Sequence, residues 1–236
     1  KTVDSKRLAT VEEPAKLPRG GTAEGTDLQG EKVRYKIDRY ARQGFVDEQD
    51  FIDDEVGALT DIPAQFGTAA RRLRPNLVYA TILANPDAPD ETALFHANHG
   101  NLDTTGSALA EATLGAGIAK VAKQQDNGIT LNCSCRYLIV PPDLKVTGRK
   151  LARTIRLEDD DDLIVRSEAR LALGVADPDG GTDLSGSTTG WYLASPAEQA
   201  IAIELGFLAG TGRAPVIRAW NAEGMDADRL PEGFEV

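Results

Sequence analysis

Histidine, cysteine and methionine are scarce in this chain. Its 236 residues include two His, two Cys and one Met, and aromatic residues make up only 6%. With so few imidazoles, any Ser/His/acid relay or histidine-built metal centre must draw on His96 or His99. The cysteines, Cys133 and Cys135, sit two residues apart, too close to be good disulfide partners for each other, and their scarcity fits a reducing compartment. No apolar run approaches the ~18 residues that span a bilayer, and no signal-peptide pattern is visible. Basic residues are also in deficit. Lys and Arg number 26 against 37 Asp and Glu, a formal charge of -11. Such a surface argues against general nucleic-acid binding, which needs basic groups for phosphates. A protein that encloses nucleic acid without gripping it stays open.

Catalytic motifs are thin as well. Ser107, Ser185 and Ser187 lie among small residues, with no Gly-x-Ser-x-Gly elbow. The Gly-rich stretch Gly181 to Gly190 lacks the lysine of a phosphate loop. Neither cysteine has the surroundings of an activated thiol.

What the chain does have is a long amphipathic stretch, Gly57 to Ala84. Leu59, Ile62, Phe66, Leu73 and Leu77 recur at helical spacing, with Ala69, Ala70, Ala80 and Leu83 between them and Arg71, Arg72 and Arg74 opposite. A helix here would run roughly 40 Å, and Pro75 predicts a kink or a split. Ahead of it, Lys1 to Phe45 reads as a charged two-stranded arm. Its strands fall near Ser5 to Leu17 and Glu31 to Phe45, with a Gly-rich tip at Arg19 to Gly25 and Val33, Tyr35 and Ile37 on one face. A ribbon so poor in apolar residues is marginal alone and points to a second subunit; a disordered tail is the competing reading.

Beyond the helix, Asn85 to Glu91 is a Pro-rich break. Thr104 to Gln125 reads as a second helix in which Gly115 and Gly117 would let another backbone come close. Asn127-Gly128 marks a turn, Ile129 to Val140 a strand, Leu144 to Ile155 a third helix, and Leu163 to Val175 a strand or two strands joined by a bend. Asp159 to Asp162 reads as a solvated acidic turn. Trp191 to Leu193, Ala200 to Leu208 and Pro215 to Trp220 read as short strands of a closing sheet.

Three clusters invite a ligand. His96 and His99 with Cys133 and Cys135 are the right residue types for a four-ligand zinc site, although their spacing matches no familiar finger. The alternative is that the imidazoles, with Asn98 and Asn101, tie down an irregular loop by hydrogen bonds. Asp47, Glu48, Asp50, Asp53, Asp54 and Glu55 suit a divalent cation, or simply the positive end of the following helix. Asp177, Asp179 and Asp183 have the start of a calcium-loop spacing, but Pro178 and Gly180 already explain a turn.

The ordered set Tyr40 to Leu59, Leu94 to Leu102, the Ala-rich helix, Leu131 to Leu144, Gly190 to Leu193 and Glu204 to Leu208 resembles the Mu-type prophage major head protein family over roughly Glu31 to Phe234. The resemblance implies an α+β Hong Kong 97-type capsid fold. Residues 1–45 would be an extended E-loop arm, 46–93 a peripheral domain with its spine helix at 57–84, 94–184 an axial domain, and 185–236 the return strands of the peripheral domain. It also implies a non-enzymatic shell subunit, with no catalytic, cofactor-binding or metal residues. That subunit would assemble in the bacterial host cytoplasm into hexamers and pentamers of an icosahedral virion enclosing DNA. Its partners would be other copies, a scaffold or prohead protease, and a portal, with no membrane. The arm's mixed charges, such as Lys6, Arg7, Arg34 and Glu12, suit salt-sensitive contacts between copies. Family members carry an arm before the E-loop and continue past the position of Val236, which points to a processed or truncated subunit. Two rival readings are a small metal-dependent hydrolase using His96 and His99, and an encapsulin-like shell around protein cargo.

Overall fold

The computed structural model describes residues 2–8, 30–44, 61–103, 106–126, 128–155, 163–200, 203–207 and 216. The chain divides into two compact units. One comprises Lys1–Val3, Tyr35–Leu77 and Leu205–Val236, and the other Asp4–Arg34 and Val78–Glu204. Strands β1 (Thr2–Leu8) and β2 (Gly30–Lys36) pair as a two-stranded sheet. Two strands therefore pair as expected, although the first lies earlier than the sequence suggested and the second ends at Lys36 instead of reaching Phe45. The expected tip and the acidic run Asp47 to Glu55 lie outside the described residues.

Helix α1 covers Ile62–Ala84, 23 residues with Pro75 inside. At about 1.5 Å per residue it is roughly 35 Å long. The expected split does not occur: more than two helical turns stand on each side of Pro75, so each carries its own hydrogen-bond ladder past the one missing donor. The boundary between units falls within this helix, after Leu77. In the first unit, Arg71 and Arg72 are exposed as expected, but Arg74 is half-buried. Its guanidinium sits 5.1 Å from the centre of the Phe207 ring, a cation–π arrangement. Gly44 passes so close to Phe66 that a Cβ there would fall 2.9 Å from the ring. The helix ends where Asn85 adopts a left-handed conformation (φ 47°), with Pro86 next in line.

The second unit is built on a three-stranded sheet. Helix α2 (Glu111–Ala122) leads to the short antiparallel pair β3 (Gln125–Asp126) and β4 (Ile129–Thr130), with Gly128 at φ 82° in the connection. Strand β5 (Tyr137–Val140) follows, then helix α3 (Lys145–Thr154), strand β6 (Ile164–Ser167), the short helix α4 (Ala169–Leu173) and strand β7 (Tyr192–Ala194). The sheet order is β6-β5-β7. β5 runs parallel to β6, pairing Leu138 with Val165, and antiparallel to β7, pairing Leu138 with Leu193. The parallel pair needs a crossover, and α3 supplies it.

Alternation along β5 decides the core. Leu138 and Val140 are both 0% exposed and lie on one face. Leu109 and Leu114 complete the buried cluster, with Ile118, Leu151, Ile155, Val165, Trp191 and Leu193 packed against it. Two glycines bring helices close. A Cβ at Gly148 of α3 would meet Val165 Cγ1 at 3.3 Å and Leu138 Cδ2 at 3.5 Å. One at Gly117 of α2 would meet Leu193 Cδ1 at 2.8 Å and Trp191 at 3.3 Å. Gly115, expected to act likewise, has nothing within 4 Å.

Several sequence-based elements are shorter than expected or of another kind. The second helix begins only at Glu111, because Gly106 takes a positive φ and Ala110 is extended. Thr113 organises that start: its Oγ1 accepts from Ala110 N at 3.0 Å and donates to the Ala108 carbonyl at 2.6 Å. The strand expected over Ile129 to Val140 breaks between Thr130 and Tyr137. Cys133 and Cys135 do alternate inward, but Asn132 has φ 46°, and the Ser134 N–H goes to Gln199 Oε1 at 2.7 Å instead of to a neighbouring strand. Leu163 to Val175 is a strand followed by a helix. Glu168 caps α4 by accepting from Arg170 N at 3.3 Å and pairing with its guanidinium at 2.7 Å. The chain then returns through an isolated Val175–Leu184 bridge. Residues 203–207 of the expected strand Ala200 to Leu208 are irregular. Asp159 to Asp162 lies outside the described residues, as does Pro215 to Trp220 apart from Val216.

Candidate functional site

The two histidines fall in the loop that follows α1. His96 precedes a single 3-10 turn, Ala97–His99, and its Nδ1 accepts the Asn98 N–H at 3.2 Å. Asn101 closes the turn: its Oδ1 accepts from His96 N at 3.0 Å and its Nδ2 donates to the Leu94 carbonyl at 2.7 Å. His99 Nδ1 lies 3.1 Å from the same carbonyl, and its Nε2 lies 2.8 Å from Asp90 Oδ2. Both partners of the His99 ring are acceptors, so the doubly protonated imidazolium satisfies the site best. The Asp90 hydrogen bond, aided by the Leu94 carbonyl, raises the pKa of His99 above its ordinary value. The hydrogen bond from His99 in turn lowers that of Asp90.

This geometry serves the loop. A metal ligand must offer a lone pair, and His99 has both nitrogens engaged. Cys133 and Cys135 are buried at 3% and 8% exposure, and neither is in a disulfide. Among the described residues, no group of three or more His, Cys, Asp or Glu is placed to hold a metal ion. The hydrogen-bonded loop reading thus describes His96, His99 and Asn101, while Asn98 enters through its backbone N–H.

Sequence reasoning missed two partners here. Asn85 brackets the backbone of Phe95, accepting its N–H at 2.7 Å and donating to its carbonyl at 3.2 Å. The signal was the pair Asn-Pro at a helix end, where left-handed Asn is common. Asp90 is the other, nine residues from His99 with nothing in sequence to join them.

The serines are not assembled for catalysis. Ser107 Oγ donates to Asp103 Oδ2 at 2.6 Å, while its carbonyl accepts from Trp191 Nε1 at 3.0 Å. Ser187 Oγ accepts the N–H groups of Thr189 and Gly190, and Ser185 is exposed. Ser107 and Ser187 line a broad open groove in the second unit together with Phe95, Val121, Trp191 and Tyr192, and neither histidine reaches it. Within it Phe95 and Tyr192 pack ring to ring at 5.5 Å, and burial raises the pKa of Tyr192. In the Asp177 loop, Asp177 Oδ1 accepts from Asp179 N at 3.0 Å, and Asp179 and Asp183 are exposed. That arrangement makes a turn.

A family model described as a phage capsid protein matches residues 30–232. The chain belongs to this family. Comparison with curated proteins and with solved structures found no match. Membership makes the chain a structural component of a virion, one that associates with copies of itself in the shell. The mixed helix and strand content is compatible with an α+β capsid fold. Among the described residues no helix is long and apolar enough to cross a membrane. For a capsid protein the surfaces that meet other copies are the functional site, and the internal hydrogen bonds hold those surfaces in shape.

Proposed function

We propose that this chain is a major head subunit of a tailed phage or prophage, of the Mu-like group. It would have the Hong Kong 97-type fold and self-assemble into an icosahedral shell around DNA. The observation that carries the reading is the match to the phage capsid family across residues 30–232. The long α1 helix and the β1–β2 ribbon support it as candidates for the spine and the reaching arm. In this reading residues 1–45 are the arm, 46–93 the peripheral domain, and residues from 94 the axial domain. The pairing of β7 with β5 favours carrying the axial boundary past Ala194 instead of ending it at 184, with the remainder returning to the peripheral domain. Hexamers and pentamers form in the bacterial host cytoplasm, with a scaffold or prohead protease and a portal as assembly partners. The net negative charge keeps packaged DNA from adhering to the wall.

Electron microscopy of the chain expressed from its full reading frame tests this. Closed shells or capsomer-sized rings are the expected result, and nuclease-protected DNA within shells separates a phage head from a container of protein cargo. A strictly monomeric product at every concentration would refute the assignment.

A further inference from the structure

One large apolar side chain stands almost wholly in solvent. Helix α4 buries Leu171 at 1% exposure and leaves Leu173 85% exposed. Two residues apart on a helix, they point to roughly opposite sides, so the turn that seats one thrusts the other outward. The next most exposed large apolar residue among those described, Val146, reaches 63%. A single exposed leucine needs no explanation by itself. This one stands on a fixed corner: Glu168 caps the start of α4, Gly174 ends it at φ 84°, and a Cβ at Gly174 would collide with the Leu184 carbonyl.

The same corner is tied to a socket. The Ser187 N–H donates to the Leu171 carbonyl at 2.6 Å, and Val175 and Leu184 exchange backbone hydrogen bonds at 3.0 and 2.9 Å. Ser187 is also a wall of the open groove, together with Phe95, Leu102, Val121, Trp191 and Tyr192. Leu102 is 39% exposed, so the groove presents apolar surface to solvent. Leu173 is not one of its walls. At 85% exposure Leu173 does not fill the socket of its own copy, and the ties to residues 184 and 187 hold it away.

We propose that Leu173 of one copy seats in the groove between Phe95 and Trp191 of a second copy. The proposal rests on self-association in the shell and deepens that reading by naming a contact. A protrusion and a recess on different patches of one body make a head-to-tail interface, the kind that closes into rings when the rotation between copies fits. Capsomers are such rings. An aliphatic anchor entering a pocket walled by aromatic rings supplies affinity from few residues. The hydrogen bonds through Ser187 and Leu184 hold anchor and pocket at a set spacing, and that spacing constrains the rotation from each copy to the next.

Two measurements on the full chain test it. In sedimentation velocity, Leu173→Asp is expected to weaken self-association by at least roughly tenfold, since a carboxylate would have to enter an apolar socket. Leu173→Met should keep it, and both variants should retain the wild-type circular dichroism because the position is exposed. In mild oxidant, copies carrying Leu173→Cys mixed with copies carrying Leu102→Cys are expected to form covalent dimers that neither forms alone. Unchanged association of Leu173→Asp would overturn the proposal. So would the absence of dimers from the mixture, or dimers from the Leu173→Cys copies by themselves. Failure of Leu102→Cys to react with iodoacetamide in dilute monomeric protein would show the groove filled by its own chain, and would overturn it too. Cross-linked rings or dimers without shells would sink the shell reading and leave this contact standing. Intact shells without the cross-link would do the reverse, whereas a chain monomeric under all conditions sinks both.

Discussion

Two glycines in one helix allow packing to be separated from backbone propensity. Gly115 and Gly117 both lie inside α2, and replacing Gly by Ala in a helix interior is favourable by about 0.8–1 kcal/mol. Gly115 is exposed with nothing near its missing Cβ, so Gly115→Ala should gain that amount, roughly 2–4 °C in Tm for a chain of this size. At Gly117 the new methyl would stand 2.8 Å from Leu193 Cδ1 and 3.3 Å from Trp191 Cη2. Leu193 can rotate, but it packs against the buried cluster, and Trp191 is anchored by its bond to the Ser107 carbonyl. Overpacking of this kind costs about 1–3 kcal/mol. Gly117→Ala should therefore range from nearly neutral to about 2 kcal/mol destabilising, and the two variants should differ by about 1–3 kcal/mol. Urea unfolding followed by circular dichroism, compared at equal m-values, measures the difference. Equal stabilisation by both substitutions would mean that α2 does not lie against Trp191 and Leu193.

Leu138→Ala, at a fully buried position in the central strand, should cost about 2–5 kcal/mol in the same assay. Thr113→Val keeps the shape but deletes the acceptor for Ala110 N, and should lose about 0.5–2 kcal/mol. The His99–Asp90 pair carries a pH signature. A raised His99 pKa adds stability that is full below the ordinary value of 6.5 and fades as pH rises through the higher folded value. A lowered Asp90 pKa adds stability that is full above 3.8 and fades as pH falls through the lower folded value. The loop should therefore be firmest between those two ordinary values, and NMR titration should place the His99 midpoint above 6.5. Asp90→Asn should bring it down. Metal analysis of purified protein should return no stoichiometric zinc; one equivalent retained through dialysis would revive a His/Cys site.

Much of this architecture was legible because it is local. The spacing of Phe66, Leu73 and Leu77 gave α1, and Leu144 to Ile155 gave α3 almost to the residue, since amphipathic periodicity is the imprint of burial on sequence. Strand β5 was legible for the same reason. Where alternation persisted without a neighbouring strand, as at Cys133 and Cys135, the sequence showed which side chains face inward and not where the backbone hydrogen bonds go. The α4 helix was hidden because five residues carry too little period, and its cap, Glu168, works through its pairing with Arg170. Of the two outcomes expected at Pro75, a kink or a split, the split was outweighed by the turns on either side. Of the candidate sites, the histidine loop could be anticipated as a hydrogen-bonded turn. Asp90 and Asn85 could not, because their bonds to His99 and Phe95 are set by how the chain doubles back after α1.

The order of the sheet also governs how the nascent chain matures. The middle strand ends at Val140, but its antiparallel neighbour starts only at Tyr192, roughly 50 residues later, or about 3–10 s of translation. Throughout that interval one flank of Tyr137–Val140 has no mate, and bare strand flanks recruit other chains. A product released before Tyr192 would be an adhesive fragment with an open seam, so chaperone dependence should peak in that window and vanish once Ala194 has cleared the ribosomal tunnel.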